Sequence, residues 1–149
     1  VGLSSQTRAL VDVFRQSGIS CQATDDIVTA RWQKCVWNAA FNPLSVLSGG
    51  LDTACLLATG QPLIRALMEE ICAVASALGH PLAADLVDKM LENTQAMPPY
   101  KTSMLLDFEA GRTLETEAIL GNAVHAARRA GVVIPRLETV YGLMKLRAG

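Results

Sequence analysis

Three polar residues spaced four apart, Lys34, Asn38 and Asn42, carry the clearest chemical signature of this sequence. On a helix, residues at i and i+4 lie one above the other, so the three form one slowly drifting stripe. Around them stand Trp32, Cys35, Val36, Trp37, Ala39, Ala40 and Phe41. A helix that is apolar nearly all round is normally buried. Its polar stripe must then face partners or a wet cleft, because an unpaired polar group in the interior is costly. An ammonium above two carboxamides suits an oxygen that gains negative charge, since lysine carries both charge and a transferable proton at neutral pH. The plainer reading is that Lys34 snorkels to water while the two amides cap neighbouring helix ends.

A second cluster follows about 60 residues later. Ser103 and Asp107 are again four apart, directly after the loop Met97-Pro98-Pro99-Tyr100. A helix N-terminus favours anions, so a carboxylate could rest against Ser103 and the nearby backbone amides. Alternatively Thr102 or Ser103 is only an N-cap and Asp107 pairs with a surface base. Glu115 falls at the start of the next long helix, where an acid is favourable in any case. Arg112 is placed to pair with a helix end or with Glu115.

Other chemistries find little support. Cys21, Cys35, Cys55 and Cys72 share no CxxC spacing, and three of them sit in apolar helical patterns. They read as buried free thiols of a reducing compartment, with neither a disulfide framework nor a metal site. His80, between Gly79 and Pro81, suits a capping or surface role, and His125 beside Arg128 and Arg129 reads as solvent-facing. No nucleophile elbow occurs. The 13 basic and 14 acidic residues give a formal charge of −1 without a basic cluster, which leaves no electrostatic footprint for nucleic acid. Apolar runs are interrupted by Asn38, Arg65, Glu69 and Glu70, so no membrane span and no leader peptide are expected. With 149 residues, half of them hydrophobic, the chain can bury one sizeable core.

The elements that must position these residues are helical. Ser4 or Ser5 caps a helix with Leu10, Val11 and Phe14 on one face, stopped by Gly18. Residues 19–23 alternate like a short strand. Asp25 or Asp26 opens the helix of the polar stripe, which ends near Phe41 or kinks at Pro43 and continues toward Gly49. Asp52 or Thr53 opens a short helix. Pro62 and Pro81 start two more, the first carrying Leu63, Leu67, Ile71, Val74 and Leu78, the second Leu82, Leu86, Val87 and Met90. A short helix spans residues 103–110, and a long one runs from after Thr113 to Gly131. A last one after Pro135 carries Leu137, Val140, Tyr141, Met144 and Leu146. The expectation is an all-α domain over residues 25–149, preceded by a helix–strand stub over residues 1–24.

The paired motifs resemble the C-terminal domain of ketopantoate reductase. The family pattern of Trp, Lys, Asn and Asn-Pro-Leu stands here as Trp32, Lys34, Asn38 and Asn42-Pro43-Leu44. Its later pattern stands as Ser103-Met104, Asp107, Gly111-Arg112 and Glu115, with Gly121, Gly131, Pro135 and Tyr141 also in place. Leu120 departs from it, where the family commonly has asparagine. The resemblance implies a multi-helical fold of the 6-phosphogluconate-dehydrogenase-like type, with residues 1–24 as the remnant of an N-terminal Rossmann domain. It implies that Lys34 is the general acid and that Glu115 helps order lysine and substrate. Asn38, Asn42 and Ser103 then contact a small 2-keto acid, and Asp107 supports them.

By the same resemblance the cofactor is NADPH, held on the Rossmann domain. No G-x-G-x-x-G occurs in this sequence, so residues 1–149 are expected to offer no cofactor site and no activity alone. The family setting is cytoplasmic pantothenate synthesis. The chain's partners are its own Rossmann domain and, through the surface left open, a second copy as a homodimer formed by strand pairing or arm exchange. Two rival readings remain: a helical dimerisation or binding module without catalysis, and a reductase of another small 2-keto acid.

Overall fold

The computed structural model describes residues 3–148, with the side chain of residue 148 left aside. Seven α-helices follow in order: α1 (Ser5–Gln16), α2 (Ile27–Leu47), α3 (Thr53–Ala77), α4 (Leu86–Ala96), α5 (Ser103–Glu109), α6 (Asn122–Ala130) and α7 (Pro135–Ala148). A π-helical turn over Glu117–Gly121 leads directly into α6. No strand forms among the described residues, and the all-α expectation holds.

The long pair α2 and α3 makes the spine of the fold. Asp26 caps α2 by accepting from Thr29 N at 3.0 Å, and Asp52 caps α3 by accepting from Cys55 N at 2.8 Å. Both prolines lie inside helices: Pro43 within α2, which continues to Leu47 as the second of the two expected alternatives, and Pro62 within α3, where a helix start was expected. An interior proline costs about 3 kcal/mol. Burying one large aliphatic side chain recovers about 1.5–3 kcal/mol, and here burial brackets each proline. Phe41 and Val46 flank Pro43 at 0% and 1% exposure, and Leu56, Ile64 and Leu67 flank Pro62 at 5% or less. Packing therefore outweighs the lost backbone bond, and the two helices expected over residues 52–78 are one.

Around the spine, α4, α6 and α7 pack on α3, while α5 and the π turn pack on α2. The core joins Val36, Ala40 and Phe41 of α2 to Leu67 and Ile71 of α3 and to Leu137 and Met144 of α7. Glu70, 8% exposed, fastens α7 to α3. Its carboxylate accepts Arg136 N at 3.2 Å and Leu137 N at 2.8 Å, satisfying amides that a helix start leaves open. Gly131 ends α6 at φ 68°, a left-handed conformation that a Cβ would strain.

Several expectations are corrected. Residues 19–24 form no strand, because no second strand offers its backbone a ladder; Arg15 Nε donating to the Cys21 carbonyl at 3.1 Å ties this segment back to α1. The α1 face is open, with Leu10 60% and Phe14 44% exposed and Val11 buried. Leu63, Leu78 and Leu146 lie outside the core; Ile64, Met68 and Ala75 are the buried neighbours on α3. The fourth helix starts at Leu86 rather than at Pro81, after a turn closed by Leu86 N donating to the Ala83 carbonyl at 3.0 Å. Cys21, Cys35 and Cys72 are partly buried and Cys55 is exposed, all unpaired.

Candidate functional site

The stripe on α2 exists as a graded surface. Lys34 is exposed, Asn38 half-buried and Asn42 2% exposed. Ser45, fully buried, extends the same line three residues beyond Asn42. Its hydroxyl donates to the Asn42 carbonyl at 2.7 Å and lies 2.6 Å from the Thr102 hydroxyl. Thr102 is the N-cap of α5, its Oγ1 accepting from Leu105 N at 3.2 Å. One buried chain of hydrogen bonds thus runs from the C-terminal end of the stripe to the residue before Ser103. The cap is Thr102, which leaves the exposed hydroxyl of Ser103 with no protein partner among the described residues.

The face of α2 beside the stripe meets the π turn. Ile119 N donates to the Glu115 carbonyl at 3.0 Å, and the Ile119 carbonyl lies 3.9 Å from Sγ of Cys35, the residue after Lys34. Glu115 sits in the extended run before this turn rather than on the helix itself, and its side chain is exposed. Lys34 and Glu115 each lack an ion-pair partner among the described residues. Burial pushes the Cys35 thiol up to about 11, so it stays protonated and packs as an apolar group.

Asp107 behaves as the plainer reading has it. It is half-buried and accepts from Arg112 Nε at 2.7 Å, and this ion pair also corrects the pairing expected between Arg112 and Glu115. Asn42 Oδ1 is buried with no hydrogen-bond partner among the described residues. None of Lys34, Asn38, Asn42, Ser103, Asp107 and Glu115 lines the leucine-walled groove between α2, α3 and α7, or the cleft beside the end of α7. Only the Lys34 end of the stripe is open to solvent; Asn42 is enclosed by the chain's own packing.

Three features escaped sequence reasoning. Ser45 was detectable, because it continues the stripe at i+3. The Trp37 ring, stacked on Phe41 at 4.6 Å and donating to Thr94 Oγ1 at 3.0 Å, braces the helix behind the stripe through residues distant in sequence. Tyr141, already marked by the resemblance, gains a role: its hydroxyl donates to both oxygens of Glu117, at 2.7 and 2.8 Å. Leu120, the departure from the family pattern, is fully buried and belongs to the core rather than to the stripe.

The chain matches the family described as "Ketopantoate reductase PanE/ApbA C terminal" over residues 26–148. It is 34% identical to a protein of Nostoc sp. named 2-dehydropantoate 2-reductase, over 100% of this chain and 47% of that protein. The crystal structure of 2-dehydropantoate 2-reductase from Methylococcus capsulatus is similar at a TM-score of 0.93 and 62% identity, covering 97% of this chain and 47% of that one. A ketopantoate reductase from Staphylococcus aureus, described as dimeric, is similar at a TM-score of 0.80 and 28% identity, covering 97% of this chain and 51% of that one. The chain thus spans about half the length of these relatives.

Proposed function

The chain belongs to the ketopantoate reductase family through its C-terminal domain, and from that membership we propose that it forms the substrate-handling half of an NADPH-dependent 2-dehydropantoate 2-reductase. The observation that carries this reading is the hydrogen-bonded junction between stripe and α5, in which Ser45 joins Asn42 to the cap preceding Ser103. Lys34, Asn38 and Asn42 follow one another along α2, and the junction ties the last of them to the start of α5, which carries Ser103.

Reduction of a ketone places negative charge on its oxygen. The Lys34 ammonium stabilises that charge and supplies the proton that makes the alcohol. Asn38 and Asn42 orient the substrate's hydroxyl and carbonyl groups, the carbonyl through an amide N–H and the hydroxyl by donating to an amide oxygen. Ser103 takes the carboxylate. Glu115 orders the lysine end, and Asp107, already paired with Arg112, holds the loop after α5 in place.

The described residues hold no strand, and no G-x-G-x-x-G precedes a helix. In this proposal the nucleotide belongs to a separate Rossmann domain, of which residues 1–24 are the last part. That domain also covers the exposed Lys34 end of the stripe. The dimeric relative supports a homodimer as the assembled form.

The test compares NADPH oxidation with ketopantoate by the 149-residue chain and by the reductase carrying it as its C-terminal half. The chain alone is expected to show none and the longer protein to turn over. Turnover by the chain alone, or failure of the longer protein to reduce ketopantoate, would overturn the reading.

A further inference from the structure

A groove of about 560 Å³ runs between the first half of α2, the end of α3 and the π turn with α6. It occupies a different face of α2 from the stripe: Trp32 and Cys35 line it, Lys34 does not. Its floor is apolar, formed by Trp32, Cys35 and Ile119, all partly buried. Its rim carries Arg31, His125 and Arg129, and no acidic residue lines it. Arg128, next to Arg129, is held by Glu138 at 3.0 Å, whereas Arg31 and Arg129 have no carboxylate partner among the described residues. The volume lies within the range of small-molecule sites, about 300–1,000 Å³.

Two uncommitted guanidiniums over an aromatic, thiol-bearing floor make a specific combination. A guanidinium offers paired donors to a carboxylate or phosphate, and a tryptophan face takes flat or aliphatic bodies. Burial keeps the Cys35 thiol neutral, so the floor does not repel an anion. The chain's own arm is a poor occupant on charge grounds, because α1 carries Arg8 and Arg15 against Asp12.

The geometry points to a second ligand site in this groove, one that takes a small organic anion with an apolar body, its acid group between Arg31 and Arg129 and its body on Trp32. The site is independent of the reductase reading, since it needs neither Lys34 nor a second domain.

The experiment uses the 149-residue chain, ¹⁵N-labelled, titrated with 4-phenylbutyrate and, in parallel, with the uncharged 4-phenylbutanol. Amide shifts are expected to centre on residues 28–35 and 118–129, with the acid binding at least about tenfold more tightly than the alcohol. Arg31→Gln and Arg129→Gln should each abolish most of that preference while leaving the remaining spectrum in place, which shows the variants folded. Equal binding of acid and alcohol, shifts centred on the leucine-walled groove instead, or no binding of the acid at millimolar concentration would overturn the proposal.

Discussion

At the residue scale, the most constrained position outside the stripe is Gly121. A Cβ built there would run into Glu117 Oε2, so any side chain must push the carboxylate off its place beneath Tyr141. The carboxylate ends a flexible chain and can move, but its bonds to the Tyr141 hydroxyl are then lost. The same contact holds the Tyr141 hydroxyl above its usual range, chiefly through the hydrogen bond to Glu117. Gly121→Ala and Tyr141→Phe are each expected to cost about 1 kcal/mol. Because both remove one interaction, the double variant should cost clearly less than their sum, measured by chemical denaturation. Full additivity would separate the two residues. The glycine was visible in the sequence, and so was its match to the family pattern. The reason for it was not, because the π turn that brings residue 117 over residue 121 has no signature in hydrophobic spacing.

At the element scale, helix starts were the most legible features. The caps Ser4, Asp26, Asp52 and Thr102 all stand where short polar residues precede apolar runs. Prolines were the least legible: Pro43 leaves a stop and a continuation both open, and Pro62 reads as a helix start, because burial on both sides is a tertiary quantity that spacing does not carry. The cap that seats α7 is also tertiary, because Glu70 lies 67 residues from Leu137. Glu70→Ala removes the acceptor for two amides and is expected to cost about 1–3 kcal/mol, read as a fall in Tm of about 3–10 °C. An unchanged Tm would show that water satisfies the start of α7.

The Asp52 cap gives a pH test. The backbone hydrogen bond from Cys55 holds its carboxyl below the ordinary value of 3.8. A lowered folded value adds stability that is present above the unfolded value and is lost as pH falls through the folded one. Asp52→Asn should therefore lie below wild type in Tm near neutral pH. That gap should narrow between about pH 5 and about pH 2, followed by circular dichroism. A gap that stays constant with pH would remove the charge from the cap's role.

At the scale of the whole molecule, the chain is a helical body with two kinds of open surface. One is the exposed face of α1, where Leu10, Val13 and Phe14 are 44–60% accessible. The other is the stripe on α2, graded from exposed lysine to buried asparagine. No helix among the described residues is long and apolar enough to cross a membrane. Both open surfaces fit a chain that spans about half the length of its relatives. The stripe was legible because its motif is local and periodic; the buried Ser45–Thr102 junction was not, because it joins residues 57 apart in sequence. The account turns on Lys34 as the proton donor, so the most direct measurement is kcat/KM for ketopantoate in the reductase carrying this chain, wild type against Lys34→Ala. A fall of about two to four decades is predicted, as expected for loss of a general acid. A variant that keeps the full rate would contradict the account.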